Sequence, residues 1–214
     1  MGESVPFSCT AFSGTRRLAT GSLLEIALSA KTLLDADRSA SVQVFDDRDG
    51  TPIDLDLSGG KAGVRKRYAS VTRTDADPAP QSADDPVKRG RGRPKLGVVA
   101  REVTLLPRHW DWLARQPGGA SVSLRKLVEV ARRSHAAADR RRHAQEATYR
   151  VMMAMAGDAS GFEEATRALF AADRQTFARR IAAWPADIHD YLERLAAAAF
   201  APNPGERAAS VCDD

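Results

Sequence analysis

The chain reads as mainly α with small β parts. Three observations lead there: helical apolar periodicity through most of its second half, strand-like alternation confined to the first 60 residues, and an aperiodic stretch rich in Pro, Ser, Ala and Asp between them. The expected order is a small α+β unit over residues 1–60 and a mobile linker over 61–97 ending in a basic segment. A strand-helix-helix unit over 98–134, C-terminal helices packed as a bundle over 135–200 and a disordered tail over 201–214 follow.

Residues 9–19 are expected to be extended. Ser22 with Glu25 three residues on fits a capping box, in which each side chain serves the other's backbone N–H. Leu24, Ala27, Leu28, Lys31 and Leu34 then give that helix one mostly apolar face. Val42 and Val44 alternate with polar residues, as do Ile53, Leu55 and Leu57. The acidic, Gly-bearing run Asp46-Asp47-Arg48-Asp49-Gly50 between them predicts a hairpin turn. Part of a calcium-loop spacing falls on Asp47, Asp49 and Gly50. Its first ligand position is Phe45, which has no side-chain oxygen, and its last is Asp56 in place of Glu, so calcium is not expected.

From about residue 59 to 87 the composition cannot bury enough apolar area to offset ordering entropy, which predicts a linker. Beyond Ser134 four helices are expected, marked by Ala147, Val151 and Met155, by Phe162, Leu169 and Phe170, by Phe177, Ile181 and Trp184, and by Ile188, Leu192 and Leu195 after Pro185. Tyr149, Met152, Met153 and Met155 form either plain core or the lining of a pocket for a small-molecule effector, and a stripe at this spacing is more often core.

Charge is unevenly distributed. Residues 1–60 carry five Lys and Arg against nine Asp and Glu, and 151–214 carry six against ten, whereas 61–100 carry ten against four and 101–150 eleven against five. A basic middle between acidic ends is a localised footprint for a polyanion. The longest apolar run, residues 195–202, falls far short of the roughly 18 residues of a membrane span. No secretory signal is read at residues 1–20, so a cytoplasmic setting is expected. Cys9 and Cys212 stand apart without His or Cys at metal-ligand spacing, which predicts neither a disulfide framework nor a metal. His109, His135, His143 and His189 are scattered, and phosphate-loop and nucleophile-elbow motifs are missing, so neither enzymatic activity nor a cofactor is expected. Arg140, Arg141 and Arg142 belong to a solvated helix face that extends the basic region.

The strongest local signal is Lys88-Arg89-Gly90-Arg91-Gly92-Arg93-Pro94-Lys95. It resembles the AT-hook, whose core here is Arg91, Gly92, Arg93 and Pro94. The minor groove is about 6 Å wide, a glycine has no Cβ to strike its walls, and two Arg side chains can lie along the floor of a narrow AT tract. The bland reading of the same residues is a solvated basic linker.

Residues 98–133 resemble the ribbon-helix-helix family of bacterial repressors and antitoxins. A strand over 98–105 is expected to lead to Pro107 at a helix start, a helix through His109 and Leu113, a Pro117-Gly118-Gly119 turn, and a second helix opened by Ser121. Leu105, His109, Trp110 and Leu113 recur at the family's apolar spacing, as do Leu124, Leu127, Val128 and Ala131. The resemblance implies a homodimer whose two strands form a ribbon for the major groove. Val99, Arg101, Val103 and Leu105 share one parity, so either the useful part of the strand begins at Arg101 or its tail snorkels out, while Ala100, Glu102 and Thr104 would face DNA. The second helix would offer Ser121 and Ser123 to a phosphate. Glu102 departs from this pattern, because a carboxylate there repels phosphates.

Over nearly its whole length, from Cys9-Thr10-Ala11-Phe12 to Trp184-Pro185-Ala186-Asp187, the chain is similar to a bacterial family known as domain of unknown function 2239. That likeness implies a bacterial cytoplasmic setting and no activity. The leading expectation is therefore a dimeric binder of AT-rich double-stranded DNA, a transcriptional regulator or nucleoid-associated protein contacting it through Lys88, Arg89, Arg91, Gly92, Arg93, Pro94, Lys95, Glu102, Thr104, Ser121 and Ser123. The alternative is a non-enzymatic dimeric interaction protein whose basic segment binds an acidic protein partner.

Overall fold

The computed structural model describes residues 8–69, 99 and 101–201. The chain divides into two compact units, one of residues 1–74 with 136–214 and one of residues 75–135. Among the described residues it is mainly helical, with one small antiparallel sheet.

The first unit opens with strands β1 (Cys9–Ser13) and β2 (Arg16–Gly21), so the stretch expected to run extended through residue 19 instead folds back as a hairpin over Gly14 and Thr15. Helix α1 (Leu23–Ala36) follows, then strand β3 (Val42–Asp46), which pairs antiparallel with β1 to give the order β2-β1-β3. The capping box is present. Ser22 accepts from the Glu25 N–H, Glu25 accepts from the Ser22 N–H at 2.8 Å, and these bonds hold the Glu25 carboxyl below its ordinary pKa. The buried face of α1 is Leu23, Ile26, Ala27 and Ala30, about one residue round from the expected stripe. Leu24, Leu28 and Leu34 are only half-buried, and Lys31 turns to Asp35 at 2.8 Å. Both sets have helical spacing, and the position of the sheet decides between them.

The expected second strand at Ile53, Leu55 and Leu57 does not form. Pro52 makes an isolated bridge to Phe45 and has no N–H to continue a ladder, so after the Ile53 N–H donates to Val44 the chain leaves the sheet. Residues 61–68, expected to belong to the linker, are helix α2 (Lys61–Tyr68). Val64 is its single fully buried side chain, and the Tyr68 hydroxyl accepts from the Asp56 N–H at 2.8 Å. One apolar anchor in a basic octapeptide is too little to register as periodicity.

Helix α3 (Pro107–Ala114) lies in the second unit. Helix α4 (Gly119–Ala156) begins there and ends in the first, and α5 (Phe162–Phe170), α6 (Arg174–Ile181) and α7 (Ala186–Ala196) complete the set. The boundary expected between residues 134 and 135 falls inside α4, which runs unbroken for 38 residues. Residues 120–156 contain neither Pro nor Gly, and Ala and Arg make up eight of the twelve residues 136–147, so nothing stops the helix. Helices α5, α6 and α7 lie where periodicity puts them. Asp173 caps α6 by accepting from the Thr176 N–H, which holds its carboxyl below the usual range.

The principal core joins Phe12 and Phe45 of the sheet to Val151, Met152, Leu169, Phe177, Ile181, Trp184, Ile188, Tyr191 and Leu192. Residues 1–60 and 135–200, expected as separate units, thus share one core. Met152 is inside it with Tyr149 and Met155 packed on its margin, and Met153 is exposed, so this cluster reads as core rather than as a pocket lining. A second cluster, with Cys9, Ala11, Leu23, Ile26 and Val44, fills the space between the sheet and α1.

Candidate functional site

The basic residues Lys88, Arg89, Arg91, Gly92, Arg93, Pro94 and Lys95 lie outside the described residues, as does Ala100. Residues 101–106 form no strand in the single chain. A ladder needs a partner, and among the described residues none pairs with them. Glu102 and Thr104 are exposed there, and so are Val99, at 72%, and Val103, at 54%.

Pro107 stands at the first turn of α3, where its missing N–H costs nothing, as the sequence predicts. The turn after α3 passes through Gly118 in the left-handed region, at φ 85°, where a Cβ would also press on Val122. Helix α4 then starts at Gly119, two residues before Ser121. Ser121 is exposed, and its carbonyl accepts from Arg125 Nε at 3.1 Å. Ser123 is buried, which removes its hydroxyl from the surface that a phosphate would meet. The serine pair expected to act together is therefore split by the helical turn: Ser121 outward, Ser123 inward. Arg101, Arg108, Arg115, Arg125 and Lys126 are all exposed, while Arg132 and Arg133 pair with Glu129.

Apolar exposure is concentrated in this unit. Of ten exposed large apolar residues among those described, eight belong to it: Val99, Val103, Leu106, Trp110, Trp112, Leu127, Val128 and Val130. Leu113 is its one buried apolar side chain among the described residues. One buried leucine is no core, and a segment this short needs further burial to be stable.

The first unit holds a polar cluster that sequence reasoning missed. Asp47, in the turn after β3, accepts at Oδ2 from Ser8 (2.8 Å) and at Oδ1 from Thr10 (2.8 Å) and Tyr191 (3.0 Å). Arg194 Nη2 donates to Thr10 Oγ1 at 3.0 Å and lies 3.5 Å from Asp47 Oδ1, with its guanidinium 5.1 Å from the Tyr191 ring centroid. Burial, followed by the Asp47 charge beside it, raises the Tyr191 hydroxyl pKa far above the ordinary phenol value, so it stays a donor. The available signal was weak: an acidic turn and, 144 residues on, a Tyr and an Arg one helical turn apart. Asp47→Ala should cost roughly 3 kcal/mol, since it strands the buried Tyr191 hydroxyl and takes the acceptor from Ser8 and Thr10, of which Thr10 keeps Thr20 at 3.1 Å. Tyr191→Phe removes one bond and should cost about 1 kcal/mol. Urea denaturation of both variants checks the order, and equal midpoints would show that the cluster contributes little. Beside this cluster opens a cleft of about 520 Å3 onto which Asp47, Arg48, Arg140, His143 and Arg194 project.

Among the described residues no helix is long and apolar enough to cross a membrane, and no three His, Cys, Asp or Glu stand close enough to hold a metal. No curated protein and no solved structure matches the chain. Residues 8–196 match the model of a family described as uncharacterized protein conserved in bacteria (DUF2239), a span that takes in almost every element above, and the chain belongs to that family.

Proposed function

We propose that the chain works as a homodimeric DNA-binding protein of the bacterial cytoplasm. In this reading residues 98–134 form a ribbon-helix-helix unit with a second copy, and the AT-hook-like segment gives a preference for AT-rich duplexes. Such a protein would act at the nucleoid as a transcriptional regulator or nucleoid-associated protein. The observation that carries the reading is the uncovered apolar surface of residues 99–130, eight large side chains beside a row of exposed arginines. A second copy would cover Val99 and Val103 by strand pairing and leave Glu102 and Thr104 on the opposite parity. Basic residues flanking that surface suit a polyanion.

Gel-shift titrations on AT-rich and GC-rich duplexes at two salt concentrations test it. The wild type should bind both, the AT-rich one more tightly. Arg91→Ala with Arg93→Ala should erase that ratio, because Gly92 between them and Pro94 after them suit an extended course along a narrow groove. Lys88→Ala with Arg89→Ala should weaken both duplexes alike, and the slope of log K against log salt should become shallower by roughly 0.9 for every phosphate that the variant no longer neutralises. Equal affinity of the wild type for the two duplexes would remove the hook and leave a basic linker.

At the ribbon, Glu102→Gln should tighten binding by removing a charge near phosphates, and Thr104→Ala should change sequence preference more than affinity. If both variants bind as the wild type does, the ribbon does not enter the groove. The exposed Glu102 favours the second reading, a dimeric interaction protein whose basic segment takes an acidic partner; absence of duplex binding at low salt would select it.

A further inference from the structure

The cleft in the first unit is walled by stretches far apart in the chain. Arg140, His143, Ala144 and Ala147 stand at i, i+3, i+4 and i+7, so one stripe of α4 faces it. Arg194 and Leu195 come from α7, and Asp47 and Arg48 from the turn after β3. Its volume, about 520 Å3, is that of a small-molecule site.

Its charge is lopsided. Asp47 is the one carboxylate on the lining, and its oxygens already serve Ser8, Thr10, Tyr191 and Arg194. Arg48 is held by Asp46 at 3.0 Å. Among the described residues the exposed Arg140 makes no hydrogen bond or ion pair, and Arg194 commits only Nη2, to Thr10 and Asp47. A guanidinium carries five N–H donors in a planar fork, so two largely unused forks face one space whose apolar side is Ala144 and Leu195. One fork satisfies a carboxylate, whereas a phosphate monoester, with three oxygens and close to two charges, uses both.

We propose that this cleft binds the phosphate group of a small phosphorylated molecule, with Arg140 and Arg194 on its oxygens, His143 beside them and its carbon part against Ala144 and Leu195. The proposal stands apart from the DNA reading, since it uses other residues and a different ligand.

The test titrates sodium phosphate into the full-length protein at constant pH and at an ionic strength held with sodium chloride. It follows the Nε–H resonances of 15N-labelled arginine. A saturable shift confined to a few arginines is expected. Arg140→Gln, which breaks no bond to a described residue, should weaken it roughly tenfold at an unchanged urea midpoint, while Arg132→Gln in the second unit leaves it alone. Sodium acetate should bind at least about tenfold more weakly than phosphate. A linear, unsaturating response, or an Arg140→Gln variant that titrates like the wild type, overturns the proposal. Equal binding of acetate overturns the phosphate assignment. A duplex titration supplies the remaining arm: loss of DNA affinity in Arg140→Gln with no phosphate response would give Arg140 to the nucleic-acid backbone, and the proposal would fall.

Discussion

A single methyl group added at Gly50 is expected to cost the first unit about 3 kcal/mol or more, the largest stability loss predicted for one small substitution. Two separate effects add. Gly50 holds φ 68°, a conformation that a residue with a Cβ adopts at a cost of roughly 1–2 kcal/mol. Its ideal Cβ would also collide with the carbonyl oxygen of Ala147, a backbone atom of α4 that cannot swing away as a side chain would. Overpacking of this kind typically costs about 1–3 kcal/mol. The approach is fixed from both sides: the Gly50 N–H donates to Asp46, and Arg150 on α4 donates to the Asp49 carbonyl at 2.6 Å. Moving the turn outward to admit the methyl would break that bond and pull on Asp47 and its hydroxyl partners. Gly50→Ala should therefore lower the urea midpoint well beyond the change from Gly63→Ala, where a Cβ meets open space. Equal midpoints would show that turn and helix do not meet so closely in solution.

Replacing Val103 with Asp is expected to turn the proposed dimer into a monomer. In the single chain Val103 is 54% exposed and lies outside the first unit, so the substitution leaves the fold of the first unit alone, as its urea transition should show, while the second unit loses the cover that the partner gives it. In a ribbon pairing two copies it would put two carboxylates near the symmetry axis, each losing water without a cation in exchange, at several kcal/mol. Every 1.4 kcal/mol is about tenfold in an equilibrium constant, so dimerisation should weaken by at least about a thousandfold. Sedimentation velocity at micromolar protein reads the result directly. Val103→Ile keeps the strand apolar and should sediment with the wild type. A Val103→Asp protein that remains dimeric would move the dimer interface away from this strand, and a wild type that is monomeric would remove the dimer altogether.

Much of the helical half was legible because its signals are local. The spacing of Phe177 with Ile181 and of Ile188 with Leu192, the capping box at Ser22 and Glu25, and Pro107 at a helix start each depend on neighbours within about a turn of the chain. Local rules also set the length of α4 once no Pro or Gly stood in its way, so it runs across the boundary expected after residue 134. Where two local solutions were equally good, as for the two stripes of α1, periodicity had no means of choosing. Where one strong breaker opposed an alternating pattern, as at Pro52, the breaker prevailed because a strand cannot continue without its ladder bonds.

What the sequence by itself determined about this protein is the place of helices α1, α3, α5, α6 and α7, the capping box of α1 and the concentration of positive charge in its middle. Tertiary structure alone decided that β1 and β3 share a core with α5, α6 and α7, that Asp47 gathers hydroxyls from Ser8, Thr10 and Tyr191, and that Gly50 must lack a side chain. The physical reason is range: capping and periodicity act over three to four residues, whereas Tyr191 and Asp47 are 144 residues apart and meet only because burying Phe12, Phe45 and the faces of four helices together brings them there.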